Sequence, residues 1–207
     1  MWRDQQTALV GLVDQPGASL VEGDQSKILL SEQRFPALIN LRGDPARPAF
    51  QTAVQEACDI SLPTRANSTS AGSDWLALWL GPDEWMLRSR QCPNDAAPTV
   101  HALEQYLAGQ FFAVTDQSSG FSVIQLMGPC AAEVLNKGCP LDLHPRAFPV
   151  GDCAQSHYFK AHILIHRIEE QVWEIIVRRS FADVTARLLK DAMWEYLEIA
   201  EDDRGMA

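Results

Sequence analysis

Two hydrophobic periods run through this chain, and their alternation predicts its elements. Ala37–Leu41 is a short β-prone run that ends at Arg42-Gly43-Asp44-Pro45. After Pro48, the residues Phe50, Ala53, Val54, Ala57 and Cys58 fall at the spacing of one helical face, with Asp44 or Asp59 available to mark the ends. Pro63 to Ser73 is polar and rich in Ser and Thr, a loop. Trp75–Leu80 and Trp85–Arg88, joined by Gly81-Pro82-Asp83-Glu84, read as a β-hairpin. Gln91–Pro98 reads as a loop, Val100, Leu103 and Leu107 as a second helix closed by Gly109, and Phe111–Thr115 as a strand.

The order then repeats. Phe121–Met127 is a strand ending in Gly128-Pro129, and Ala131, Val134 and Leu135 follow at helical spacing until Lys137-Gly138-Cys139-Pro140 stops them. Beyond a loop from Leu141 to Asp152, His157–His166 and Val172–Val177 predict a second hairpin. Ser180-Phe181-Ala182-Asp183 resembles a capping box, opening a last helix whose predicted inner stripe is Phe181, Val184, Leu188, Ala192 and Tyr196. Gly43 and Gly128 lie 85 positions apart, and Trp85 and Trp173 lie 88 apart, each tryptophan in the second strand of its hairpin. The pattern is an internal duplication of βαββα halves with a bridging strand, which predicts an α+β architecture of ferredoxin-like or split-βαβ type. The expected organisation is an N-terminal arm over residues 1–24, one duplicated domain over 25–197 with halves of about 25–116 and 117–197, and an acidic tail over 198–207.

Composition narrows the function. A length of 207 residues with 46% hydrophobic residues supports a sizeable core. Seventeen basic against 27 acidic side chains give a formal charge of −10, the wrong sign for a phosphate backbone or an anionic membrane surface. The longest apolar runs, Ala8–Val13 and Trp75–Leu80, are far short of a bilayer span, and the first has no basic flank of the secretory type. The five cysteines are an odd number with no CxxC pair, which fits reduced thiols, and a cytoplasmic protein is expected.

The chemistry-bearing motifs are sparse. The chain has no GxGxxG, Walker A, HExxH or GxSxG sequence. Asp116-Gln117-Ser118-Ser119-Gly120 lacks the leading glycine of a nucleophile elbow and reads as a turn. Cys130, Cys139, His144, Cys153 and His157 are separated by 8, 4, 8 and 3 residues, unlike the close pairs that deliver zinc ligands, and read as small core residues with loop histidines. His162 and His166 sit four apart on a predicted strand, ~13 Å by strand rise and too far to share a metal. Arg178-Arg179-Ser180 joins a strand to a helix start, where an anion could sit or the arginines could pair with acidic neighbours. Six tryptophans, at 2, 75, 79, 85, 173 and 194, suit either a core or the buried centre of a protein interface. No catalytic, cofactor-binding or metal-binding residue is assigned.

Several stretches together carry a resemblance. They are Leu80-Gly81-Pro82-Asp83-Glu84-Trp85-Met86-Leu87, Leu126-Met127-Gly128-Pro129-Cys130-Ala131, Asn136-Lys137-Gly138-Cys139-Pro140-Leu141-Asp142-Leu143-His144-Pro145, Phe148-Pro149-Val150-Gly151 and Arg179-Ser180-Phe181-Ala182. In this order they resemble the gamma-subunit family of heterotetrameric sarcosine oxidase, over roughly residues 25 to 197. The resemblance implies a fold related to the folate-binding domains of the glycine-cleavage T-protein and the tRNA-modifying GTPase. It also implies a complex with alpha, beta and delta subunits that oxidatively demethylates sarcosine to glycine. FAD, FMN, NAD, tetrahydrofolate and zinc are then expected on those partners, and this chain is expected to be a non-catalytic assembly subunit. The related N-methylglutamate dehydrogenase has a similar small subunit, so the substrate stays open. Lys137-Gly138-Cys139 also resembles the start of the KGCYxGQE motif of stand-alone folate proteins, but Pro140-Leu141-Asp142-Leu143 replaces the remainder.

Overall fold

A computed structural model describes residues 7–9, 27–92 and 95–197. Most of the predicted N-terminal arm and the acidic tail lie outside the described residues. In chain order the elements are β1 (Leu29–Glu32), β2 (Leu38–Gly43), α1 (Pro48–Cys58), β3 (Thr69–Ala71), β4 (Trp75–Gly81), β5 (Glu84–Ser89), α2 (Ala97–Tyr106) and β6 (Phe112–Asp116). After a 3-10 turn at Ser118–Gly120 come β7 (Phe121–Met127), α3 (Ala131–Asn136), β8 (Cys153–Tyr158), β9 (Ala161–Glu169), β10 (Val172–Arg178) and α4 (Arg179–Leu197). The chain forms two compact units. One holds residues 35–120 and 151–155, and the other holds the described residues up to Arg34 with 121–150 and 156–197.

The architecture is α+β, with two five-stranded sheets ordered β3-β4-β5-β2-β6 and β1-β7-β10-β9-β8. Reading the second from its far end gives β8-β9-β10-β7-β1, so strands of matching rank hold matching places. The registers agree. Leu41 stands opposite Trp85 and, on its other side, Val114; Leu126 stands opposite Trp173 and, on its other side, Leu30. The duplication read from the sequence is therefore present in strand order and pairing. Each half has one strand more than predicted after its first helix. β3 falls inside the expected loop Pro63–Ser73, and β8 precedes the second hairpin. Both are short or polar edge strands with little apolar alternation to announce them.

Within the 35–120 unit the core packs one sheet face against α1 and α2. It gathers Ile39, Leu41, Phe50, Val54, Trp75, Trp85 and Leu87, with Trp79, Phe112 and Val114 at its margin. Trp75 is thus a core residue, and Trp79 is half-buried against the core. Asp59 does close α1, as a left-handed C-cap at φ 53°, but Arg47 rather than Asp44 precedes the first turn. Asp44 instead accepts the Ala46 N–H at 3.0 Å and shapes the turn before it.

Three expectations for the second half change. The run His157–His166 is broken at Phe159, whose φ of 51° turns the chain between β8 and β9. The last helix begins at Arg179, directly after β10, so Ser180 lies inside its first turn and no capping box forms. The buried face of α4 is Ala182, Thr185, Ala186, Leu189 and Met193, one position on from the predicted stripe. Phe181 and Val184 are 43% and 45% exposed. Ala182, Thr185 and Ala186 let the helix approach the elements beneath it, while Phe181 and Val184 turn outward. No described helix is long and apolar enough to cross a membrane.

Candidate functional site

The segments that carry the family resemblance tie elements together. In the hairpin segment, Trp85 is buried beside Phe50, with ring centroids 6.1 Å apart, and its Nε1–H donates to the Pro63 carbonyl at 2.8 Å. Glu84 accepts from Asn40 Nδ2 at 2.8 Å, and the Asp83 carbonyl accepts the Gly43 N–H at 3.0 Å. In the other unit, Lys137 donates to the Glu195 carboxylate and lies 4.9 Å from the Tyr196 ring, while Tyr196 donates to Glu133 at 3.0 Å. These links pin α3 to α4, and Lys137 with the Tyr196 hydroxyl holds the Glu195 carboxyl below its ordinary range. The Gly138 carbonyl accepts the Phe159 N–H at 2.8 Å, and Cys139 is buried.

A second cluster centres on Arg167, which is 4% exposed. It donates through Nη1 to the Phe148 carbonyl and through Nη2 to the Glu170 carbonyl, both at 2.8 Å. Its guanidinium lies 5.2 Å from the Trp173 ring, and Phe148 packs on that ring at 5.5 Å. The Phe148 motif thus anchors a long loop to the β9–β10 hairpin.

The candidate metal residues do not converge. Among the described residues no group of three or more His, Cys, Asp or Glu side chains could hold a metal ion. Cys130 sits at the start of α3, while His144 is in an exposed loop where its Nδ1 accepts the Arg146 N–H at 3.2 Å. His157 is exposed and Cys153 is buried. Burial pushes the Cys58 and Cys153 thiols up to about 12, so neither is a thiolate near neutral pH. Cys130 is also raised, by burial and then by Glu133. Of the remaining candidates, His162 is exposed and His166 buried on β9, Arg178 lies 5.5 Å from the Phe121 ring, and the Arg179 charge reaches Glu32.

Sequence reasoning missed the buried carboxylates. Glu32, 5% exposed on β1, is raised by burial, against hydrogen bonds from Thr7, Ser122 and the Ala8 N–H and the charge of Arg179. Glu174, 1% exposed, stands between Gln125 and His166 in register, and Ser31 follows beyond Gln125, a polar row across four strands. A single sequence shows a glutamate at period two on a strand and no sign of which face is covered. Several large apolar side chains stand exposed among the charged ones. Phe111 is 89% exposed, Trp194 60%, Val150 52% and Tyr106 50%. Exposed aromatic side chains of this kind are enriched at protein interfaces.

The fold is that of a T-protein-like α+β protein. It matches the aminomethyltransferase T of the glycine cleavage system of Bartonella henselae at TM-score 0.59 and 18% identity, over 77% of this chain and 44% of that one. A much nearer structural match is the heterotetrameric sarcosine oxidase of Corynebacterium sp. U-96, with TM-score 0.79 and 31% identity over 93% of this chain and 96% of the matched chain. The sarcosine oxidase gamma-subunit family model matches residues 42–195. The gamma subunit of Corynebacterium sp. strain U-96 is 35% identical over 86% of this chain and 85% of its own length, and that of Arthrobacter sp. is 34% identical over 82% and 81%. The chain belongs to the sarcosine oxidase gamma-subunit family.

Proposed function

We propose that this chain is an assembly subunit of a heterotetrameric, flavin-dependent sarcosine oxidase and contributes no catalytic residue to the oxidative demethylation of sarcosine to glycine. The observation that carries the reading is the fit, over 93% of the chain, to a chain of a heterotetrameric sarcosine oxidase. The protonated thiols and the exposed aromatic side chains support it. In this reading alpha, beta and delta subunits are the partners, in the cytoplasm, and FAD, FMN, NAD, tetrahydrofolate and zinc reside with them. This chain's own residues do not suit those groups. It has no glycine-rich dinucleotide loop, burial raises the Cys58, Cys130 and Cys153 thiols, and Lys137 of the folate-like triplet pairs with Glu195. The two units are read as the two copies of one duplicated domain spanning residues 25–197.

The test is subtraction. The tagged chain, co-expressed with its partner subunits, is expected to retain material with flavin absorbance, and its omission is expected to lower assembly and sarcosine turnover together. Full assembly and turnover without it would overturn the reading. Binding of tetrahydrofolate to the isolated chain, seen as calorimetric heat and a thermal shift, would favour the stand-alone folate protein instead. Faster turnover of N-methylglutamate than of sarcosine would reassign the substrate.

A further inference from the structure

In the 35–120 unit the two edges of the sheet differ. At the β3 edge, Ser68 bridges Asp152, the Cys153 N–H donates to the Asn67 carbonyl at 2.9 Å, and Thr69 donates to the Gly151 carbonyl at 2.6 Å. That edge is short and covered. At the other edge, β6 pairs with β2 on one side and, among the described residues, with no strand on the other. The Gln117 N–H donates to Leu38 at 2.8 Å, and Leu38 continues the register in which Asp116 faces Ile39. By the two-residue alternation of an antiparallel pair, the N–H and C=O groups of Phe112, Val114 and Asp116 therefore point away from the sheet.

Proteins guard such edges with lysine, proline, bulges or inward charges. The equivalent edge strand of the other unit, β1, carries the buried Glu32, with Thr7 bonded to it. β6 has none of these guards. Residues 97–120 contain no Lys or Arg, and the strand reads Phe-Ala-Val-Thr-Asp. Beside it Phe111 is 89% exposed, and Ala113, Thr115 and Asp116 are exposed as well.

We infer that the free edge of β6, with Phe111 as its anchor, is where an extended segment of a partner subunit adds a sixth strand to this sheet. The inference rests on the assembly reading above and deepens it by naming the surface. Main-chain hydrogen bonds supply the attachment, and Phe111 supplies apolar contact next to it. The charge selects the occupant. The segment from 97 to 120 carries Glu104 and Asp116 as its charged groups, and the whole chain carries −10. A second copy would bring like charges together, whereas an apolar strand of neutral or positive charge from another subunit would not.

Hydrogen exchange on the chain alone and in its co-expressed complex tests this. The amides of Phe112, Val114 and Asp116 are expected to exchange quickly in the free chain and at least tenfold more slowly in the complex. Two variants accompany it: Ala113→Lys with Thr115→Lys, which installs lysine guards on exposed positions, and Phe111→Ser, which removes the anchor. Each is expected to weaken assembly at least tenfold with an unchanged thermal melt. A complex that forms with no added protection at these amides, or with full affinity in both variants, overturns the inference and leaves the assembly reading intact. Protection already present in the dilute free chain, or gained on concentrating it, assigns the edge to this chain or a second copy and also overturns it. Failure to assemble at all removes both readings.

Discussion

Gly128 and Gly43 occupy matching places, at the end of the strand that leads into each half's first helix, but they meet different obstacles. Gly128 has φ of 125°, and a Cβ there would lie 2.3 Å from the Lys27 carbonyl oxygen, which is backbone. At Gly43 a Cβ would meet the Phe50 ring at 2.2 Å, a side chain that can tilt within a buried site. Gly128→Val is therefore expected to cost about 3 kcal/mol or more, and Gly43→Ala less, read from denaturant midpoints. Arg167→Ala removes two charge-assisted bonds, to the Phe148 and Glu170 carbonyls, and a stacked cation, and about 3 kcal/mol of destabilisation is expected, with Arg167→Lys between it and the native chain. Glu32 gives a pH signature. Its folded pKa is raised above the ordinary 4.5, so the folded state binds the proton more readily than the unfolded one. Stability contributed at this site rises as pH falls from the raised value toward 4.5, and is lost as pH climbs through it. Thermal melts across that window should flatten in Glu32→Gln, and an unchanged slope would place the titration elsewhere. Gly43 and Gly128 were legible in the sequence as matching strand ends, whereas Arg167 and Glu32 were not, because burial is a property of the packed chain.

At the scale of elements, legibility follows how strongly a segment advertises its burial. β7 has the predicted bounds, Phe121–Met127, because it is apolar along most of its length and ends at Gly128-Pro129. β3, with Thr-Ser-Ala, carries no such signal. α4 shows the more instructive error. The predicted stripe starts from Phe181 and Val184, but the packed face, one position on, uses two alanines and a threonine with Leu189 and Met193. Two stripes one position apart both carry apolar residues at helical spacing, and packing selects the one whose small residues at 182, 185 and 186 allow close approach. The shift is measurable: Leu189→Ala should cost about 3 kcal/mol, Leu188→Ala less than about 1 kcal/mol. Equal losses at the two positions would restore the predicted stripe.

At the scale of the whole molecule, the duplication has an uneven seam. In the first half the fifth strand, β6, follows the second helix and pairs back onto β2. In the second half the corresponding strand is β1, which precedes the whole first half in sequence and pairs with β7, Leu30 meeting Leu126 across 96 positions. During synthesis the sheet around β2 can close while the ribosome is still translating the second copy. β1 must wait for a neighbour that has not been made, holding Leu30 and Glu32 in reserve. The pairing of β1 with β7 is the long-range closure of this sheet and is expected to form late, so a chaperone that shields one strand in the nascent chain would find its client at Leu29–Glu32.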